Sequence, residues 1–357
     1  MSASHPNVFK LIKTYMEFAE KHPVASIAIA VCVHPNMDAA DFEGEVGMEP
    51  LLRANLARLD KKIEDFVNLW SLPPNDPSLT KDNVVYNLAH DPLNHDFLIW
   101  LVDAEMTRRR AGAPAPLKVS FWCGTDAKER MEKDNRRQWL EKVFRPLLGM
   151  IGAVEDFRYD GHHSTDFVPR NITAAVRNGE RVPILKSGLP PRHPGSVTIT
   201  LRESWYWPHR NSNLEAWLRF AKYLRERGEK VIVVRDTEKA FDNFADFQTD
   251  SEASLYTAKR MALYEGAKCN LFTSNGPVGL VLFSHAPWLQ FVPIEEEGST
   301  YQPNTKKFWK DSNGIEPGEQ YPWASETQRL VWGKDSYENI VNAWEAIPLT
   351  KELSYGT

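Results

Sequence analysis

The stretch "KVIVVRD", Lys230 to Asp236, is the feature that most constrains the chain. Four branched apolar residues in a row, with no polar alternation, suit a strand covered on both faces, as in a parallel sheet. Parallel neighbours cannot be joined by a tight hairpin; each needs a crossover, usually a helix. The flanking sequence supplies the parts. "SVTITLR" (Ser196 to Arg202) reads as a strand, and "LEAWLRFAKYLRERG" as a helix with Leu214, Trp217, Leu218, Ala221 and Leu224 on one face, Asn213 as its cap and Gly228 as its stop. A further helix fits "SEASLYTAKRMALYEGA", followed by the strands "CNLFTS" and "WLQFVPI". A βαβ series of this kind binds its ligands beyond the carboxyl ends of its strands, which here are the residues after Thr200, Val234, Phe272 and Val292.

The N-terminal half is less regular. Its candidate strands are "ASIAIAVCV", "LKVSFWCG" and "GAVEDFRY", separated by helices around Glu49 to Trp70, His95 to Ala111 and Arg136 to Leu148. Between the halves lies "HHSTDFVPRNITAAVRNGERVPILKSGLPPRHPG", whose Pro/Gly/His-rich end suits a linker. The expectation is an α/β protein of two Rossmann-like domains facing across a cleft, 1–190 and 191–357, with the boundary near Gly188 to Gly195 and a closing helix at "DSYENIVNAWEAI".

A net charge of -5 gives no general attraction to polyanions, so nucleic acid is not an expected partner. Three scattered cysteines, Cys32, Cys123 and Cys269, make neither a disulfide framework nor a thiolate zinc site and fit a reducing compartment. The run "VASIAIAVCV" is half the length that spans a bilayer, and the helix before it lacks the character of a signal peptide. A cytoplasmic protein is expected, with peripheral attachment to a membrane left open.

The polar segments at the strand ends hold the candidate residues. Arg202 and Arg210, in "LRESWYWPHRNSN", carry permanent charge and paired donors that match phosphate oxygens, against a plain reading as salt bridges. Tyr206 offers a ring for a base or sugar, or merely covers the sheet edge. Asp236, after the next strand, suits ribose hydroxyls or caps the following turn. Arg260 shares a helical face with Tyr256 and Tyr264, which is also a packing face. In "NLFTSNGPVGL", Ser274, Asn275 and Gly276 form a tight turn that lets backbone approach an anion, and Pro277 fits the first turn of a helix. Neither a Walker loop nor a dinucleotide fingerprint is present. In the first half, "HPNMD" offers His34 and Asp38 as a general base, or simply a turn. His162, His163 and Asp166 lack metal-binding spacing, so no metal is expected, and Cys123 reads as a buried strand-end residue.

These segments resemble the donor-binding domain of GT-B glycosyltransferases, in particular heptosyltransferases and fucosyltransferase-like enzymes. The resemblance runs over about residues 195 to 345: a strand ending in a basic residue, a helix, "KVIVVRD", the turn in "AKCNLFTSNGPVGL", the strand in "APWLQFVPI" and the segment "YPWASETQRLVW". Where the family's turn reads Asp-Ser-Gly-Pro, Asn275 makes the pattern neutral, so nucleotide and sugar preference do not carry over. In the first half the likeness is one of architecture, with Asp38 or His34 in the place of the base.

The resemblance implies a metal-independent glycosyltransferase with no tightly bound cofactor, moving a sugar from a nucleoside-diphosphate sugar to a hydroxyl of a glycan or glycolipid. Arg202, Arg210, Tyr206, Asp236, Arg260 and Ser274 to Pro277 would then hold the donor. Two other readings stay open on the residues: an enzyme that modifies a nucleotide sugar, such as an epimerase, and a non-catalytic carbohydrate-binding or scaffold protein. Oligomeric state is not legible.

Overall fold

The computed structural model describes residues 82–88, 91–122, 136–156, 162–163, 169–205, 208–294 and 305–349. The chain divides into two compact units, Met1–Asp76 and Pro77–Thr357, and the described residues belong to the second. The expected strand "ASIAIAVCV", the helix Glu49 to Trp70, and His34, Asp38, Tyr206 and Cys123 lie outside them.

Two parallel sheets organise this unit, as the sequence pattern predicts. The first has four strands, β1 (Asn83–Asn87), β2 (Lys118–Trp122), β3 (Val154–Glu155) and β4 (His162–His163), in the order β3-β2-β1-β4. The second has six, β5 (Val197–Thr200), β6 (Val231–Val234), β7 (Gln248–Thr249), β8 (Cys269–Thr273), β9 (Trp288–Val292) and β10 (Gln328–Trp332), in the order β10-β9-β8-β5-β6-β7. Every pairing is parallel. Numbered from β5 and read from β7, the second sheet follows the 3-2-1-4-5-6 order of a dinucleotide-binding fold. The first sheet repeats the opening 3-2-1-4 of that order. Two α/β sheets of this kind are consistent with a GT-B-like architecture.

The helices are α1 (Asp96–Arg110), α2 (Arg145–Ile151), α3 (Arg170–Arg177), α4 (Leu214–Glu226), α5 (Ser251–Leu255), α6 (Thr257–Gly266), α7 (Val278–Leu282) and α8 (Tyr337–Ala346). Segment 136–144 leads into α2 as a short helical turn followed by a π-turn. Segment 162–195 contains β4 and the amphipathic helix α3, and its Pro/Gly/His-rich end is without regular structure. Two expectations change. A strand at Asn83–Asn87, not anticipated, is the centre of the first sheet: its polar ends conceal a core of Val84, Val85 and Tyr86. The helix expected over 251–267 is two, broken where Tyr256 adopts an extended backbone (φ -127, ψ 116).

Alternation along the strands divides the second sheet into two faces. Val197, Ile199, Val231, Val233, Leu271 and Phe291 pack against Trp217, Phe220, Ala221 and Leu224 of α4 and Ile340 and Trp344 of α8. Each Val, Leu, Ile or Phe among them contributes about 1.5–3 kcal/mol when taken from water. Leu214, expected on that face, is exposed, and Ala216 and Phe220 fill the face instead. Asn213 caps the helix as expected, accepting from the Ala216 N–H at 3.2 Å. The opposite face, with Ile232, Val234, Phe272, Trp288 and Val292, shares one continuous core with the first sheet, including Tyr86, Phe97, Trp100, Val119 and Phe144. Two polar pairs lie on this inner face, Thr198 Oγ1 with Asn270 Oδ1 at 2.6 Å and Thr200 Oγ1 with the Tyr264 hydroxyl at 2.9 Å.

Just beyond β1, buried Asp91 accepts a hydrogen bond from the Asn87 N–H at 2.6 Å. Burial outweighs that bond and pushes its pKa up to about 7. Unfolded, the carboxyl loses its proton near pH 4. Between these values the folded state binds the extra proton, so this group makes stability fall as pH rises from about 4 to about 7. Asp91→Asn keeps an acceptor for the Asn87 N–H and removes the titration. Thermal melts should show the variant matching wild type near pH 4 and exceeding it at pH 8; a gap independent of pH contradicts this.

Candidate functional site

In the second sheet the strand order reverses between β5 and β8, and the crevice above that switch point is where such folds take ligands. Arg202 follows β5 on the same side of the strand as Thr198 and Thr200. It is buried, and its Nη1 donates to Asn211 Oδ1 at 2.9 Å. Asn211 in turn accepts from the Ser204 N–H at 3.0 Å and donates to the Ser204 carbonyl at 2.9 Å, which folds the loop after β5 back on itself. The Arg202 N–H donates to Ser212 Oγ at 2.8 Å, and Ser212 Oγ lies 3.1 Å from Thr273 Oγ1 at the end of β8. These bonds lock the two strand ends at the switch point together.

Arg210 reaches the same place from a short 3-10 turn, Pro208–Arg210, donating from Nη2 to the Ser274 carbonyl at 3.2 Å. Burial, with the positive charge of Arg202 close by, pushes its pKa down to about 10, while Asp96 works in the opposite direction. Burial also lowers the pKa of Arg202, with Asp236 opposing it. Both arginines are thus held at the end of β8, and the charge of Arg202 is felt at Arg210.

The turn after β8 is well supported from below. Gln290 Nε2 donates to Ser274 Oγ at 3.2 Å, and the Ser274 hydroxyl has a long contact of 3.5 Å to the Phe291 carbonyl. Asn275 Oδ1 accepts from the Val278 N–H at 3.2 Å, so Asn275 acts as a cap within the turn. Pro277 sits in the helical region (φ -59, ψ -18) directly before α7. Gly276 has negative φ, and its small size is needed by a neighbour: a Cβ there would lie 2.6 Å from His95 Nδ1.

Asp236 follows β6 and accepts from the Glu203 N–H at 2.6 Å. Burial raises its pKa; the Glu203 N–H, Arg260 and Arg202 oppose that rise. Glu203 is bridged by Arg235, whose Nε donates to Oε2 at 2.8 Å, so the loops after β5 and β6 are tied to each other. Arg260, buried on α6, donates to the carbonyls of Ala253 (2.5 Å) and Ser254 (3.0 Å) and holds the break between α5 and α6. Of its expected helical companions, Tyr264 is buried and Tyr256 is exposed.

Arg202, Arg210 and the turn 274–277 thus come together, with Asp236 close enough to Arg202 and to Arg260 to feel both charges. Sequence reasoning missed His95 and Asp96, which enter this region from the first sheet, and the linking residues Asn211, Ser212 and Gln290. The His/Asn/Pro-rich stretch "HDPLNHD" after an apolar run was the available signal. Among the described residues, no group of three or more His, Cys, Asp or Glu could hold a metal ion, and no helix is long and apolar enough to cross a membrane.

No family model and no curated protein matches the chain. Among solved structures, it is similar to the glycosyl transferase family 9 protein from Veillonella parvula DSM 2008 at 12% identity and a TM-score of 0.39, over 76% of this chain and 91% of that one. It is also similar to E. coli heptosyltransferase WaaC with ADP-2-deoxy-2-fluoro heptose (14% identity, TM-score 0.37, 62% and 91%). A third likeness is to TibC, an iron-containing dodecameric glycosyltransferase from enterotoxigenic E. coli H10407 (13% identity, TM-score 0.38). That match spans 58% of this chain and 57% of TibC.

Proposed function

We propose that this chain is a metal-independent glycosyltransferase that moves a sugar from a nucleoside-diphosphate sugar to a hydroxyl of a glycan or glycolipid. The observation that carries the reading is that Arg202 and Arg210 are both brought to the end of β8 at the switch point of a 3-2-1-4-5-6 sheet, Arg202 tied through Ser212 to Thr273 and Arg210 bonded to the Ser274 carbonyl. A diphosphate fits the paired donors of two guanidinium groups brought to one strand end. As the glycosidic bond breaks, the leaving diphosphate gains charge. Arg202, Arg210 and the N–H groups of Ser274 to Gly276 stabilise that charge, the task a divalent cation performs elsewhere. Asp236, at the end of the second strand of the series, takes the ribose hydroxyls, and Tyr206 and Arg260 complete the donor side.

The acceptor is held by the N-terminal α/β part, 1–190, and the donor by 191–357. Asp38 or His34 removes the proton from the acceptor hydroxyl, which then attacks the anomeric carbon. The protein works in the cytoplasm, with peripheral contact to a membrane where the acceptor is a glycolipid.

Product analysis tests the reading. The full chain, incubated in EDTA with UDP-, GDP- and ADP-sugars and a panel of glycan and glycolipid hydroxyls, is expected to release one nucleoside diphosphate and yield a new glycosidic bond. Recovery of an isomerised nucleotide sugar would move the assignment to an epimerase. Binding of free glycan with no turnover and no affinity for nucleotide would make it a carbohydrate-binding protein.

A further inference from the structure

His95 holds a position that core packing does not explain. It is half-buried at the start of α1 and lends no side-chain atom to the N–H groups of that helix. Its ring stands edge-on to Trp139, with centroids 5.5 Å apart. On its other side it lies against Gly276, where an added Cβ would come within 2.6 Å of Nδ1 and 2.9 Å of the His95 Cβ and Cγ. Neither ring nitrogen hydrogen-bonds to a described residue.

Burial, with Arg260 adding to it, pushes the pKa of this imidazole down to about 3. At neutral pH the ring is uncharged, with one nitrogen a donor and the other an acceptor. Around it are the Ser274–Pro277 turn, whose carbonyl at Ser274 receives Arg210, and Asp96, which feels the charge of Arg210. The N–H groups of Asn275 and Gly276 make no backbone hydrogen bond to a described residue. Among the described residues the ring therefore has a donor without a partner beside those N–H groups, at the strand end where Arg210 bonds the Ser274 carbonyl.

We infer that His95 contacts the ligand of this site, its imidazole N–H donating to a phosphoryl oxygen of the bound nucleoside diphosphate. The inference rests on the proposed function and adds to it: the donor site of the second sheet is completed by a residue delivered from the end of β1 in the first. The smallness of Gly276 then has a definite purpose, admitting the imidazole to the edge of the turn.

The test is calorimetric titration of the full chain with UDP, GDP and ADP and with the matching nucleosides. His95→Phe keeps the ring and its contact with Trp139 while removing both nitrogens. It is expected to weaken the diphosphate about five- to tenfold, leaving nucleoside affinity and melting temperature unchanged. Gly276→Ala is expected to cause a similar loss in the wild-type background and none in His95→Ala, because the two changes act through one contact. If His95→Phe does not fold, His95→Asn and the Gly276 pair carry the test. Diphosphate binding by His95→Phe as tight as by wild type, or an equal loss for nucleoside and diphosphate, overturns the inference and leaves the proposed function standing. Absence of nucleotide binding in folded wild type overturns both.

Discussion

Arg210→Ala is expected to weaken binding of a nucleoside diphosphate by more than about tenfold, roughly 1.4 kcal/mol, without destabilising the empty protein. The reason lies in what the guanidinium costs before any ligand arrives. Its desolvation and the nearby Arg202 both act against its charge, and Asp96 offsets this only in part. Removing a cation of this kind relieves repulsion at the same time as it removes an anion ligand, a trade of stability against function. Thermal melts of wild type and variant should agree within about 3 °C, the shift that about 1 kcal/mol produces in a domain of this size. Arg202→Ala should lose affinity similarly but also loosen the loop after β5, because Arg202 holds Asn211 and Asn211 holds Ser204. Unchanged affinity in Arg210→Ala, or a fall in both affinity and stability of equal size, would make this residue structural.

Gly266→Ala is expected to destabilise the fold by about 3 kcal/mol, at the upper end for overpacking. A Cβ at this position would lie 2.5 Å from the Arg192 carbonyl oxygen and 3.2 Å from Pro191 Cβ. That carbonyl belongs to backbone that cannot easily withdraw. The Arg192 N–H donates to the Ala262 carbonyl at 3.0 Å, and the Gly195 N–H donates to the Gly266 carbonyl at 2.8 Å. The Arg192 guanidinium is held by Asp250 at 2.8 Å, and Asp250 also caps α5 through the Ala253 N–H at 3.0 Å. His193, with φ of 44°, adds a left-handed residue to the same short segment. The end of α6 is thus fastened to the chain entering β5, and the fastening needs a glycine. A loss of roughly 6–12 °C in melting temperature is the expected reading. A variant that melts with wild type would show that the segment gives way freely.

The legibility of this fold follows from where its signals are local. β6 and α4 were readable because an unbroken apolar run and a 3.6-residue stripe are each written in consecutive residues. The capping of α4 by Asn213 was readable for the same reason. β1 was not, since five residues with Asn at both ends carry too little pattern, although tertiary burial on both sides makes them the centre of a sheet. The break at Tyr256 was hidden because no Gly or Pro marks it; it is fixed by side-chain bonds to backbone, Asp250 capping α5 and Arg260 binding the carbonyls of Ala253 and Ser254.

The candidate site divides in the same way. The strand ends could be listed from sequence once the βαβ order was inferred, so Arg202, Asp236 and Ser274 to Pro277 were accessible. That Arg210 turns back to the Ser274 carbonyl, that Asn275 caps its own turn, and that His95 fills the space beside Gly276 depend on contacts across 64, 3 and 181 positions of the chain. Only the shortest of these lies within the reach of a local pattern.

Arg202 and Arg210 are expected to bind the diphosphate of a nucleotide without a metal. The decisive experiment is calorimetric titration of the purified full chain with UDP, GDP, ADP and CMP in EDTA. Micromolar binding of one nucleoside diphosphate in the presence of the chelator is the expected result. Failure of folded protein to bind any of the four would contradict it.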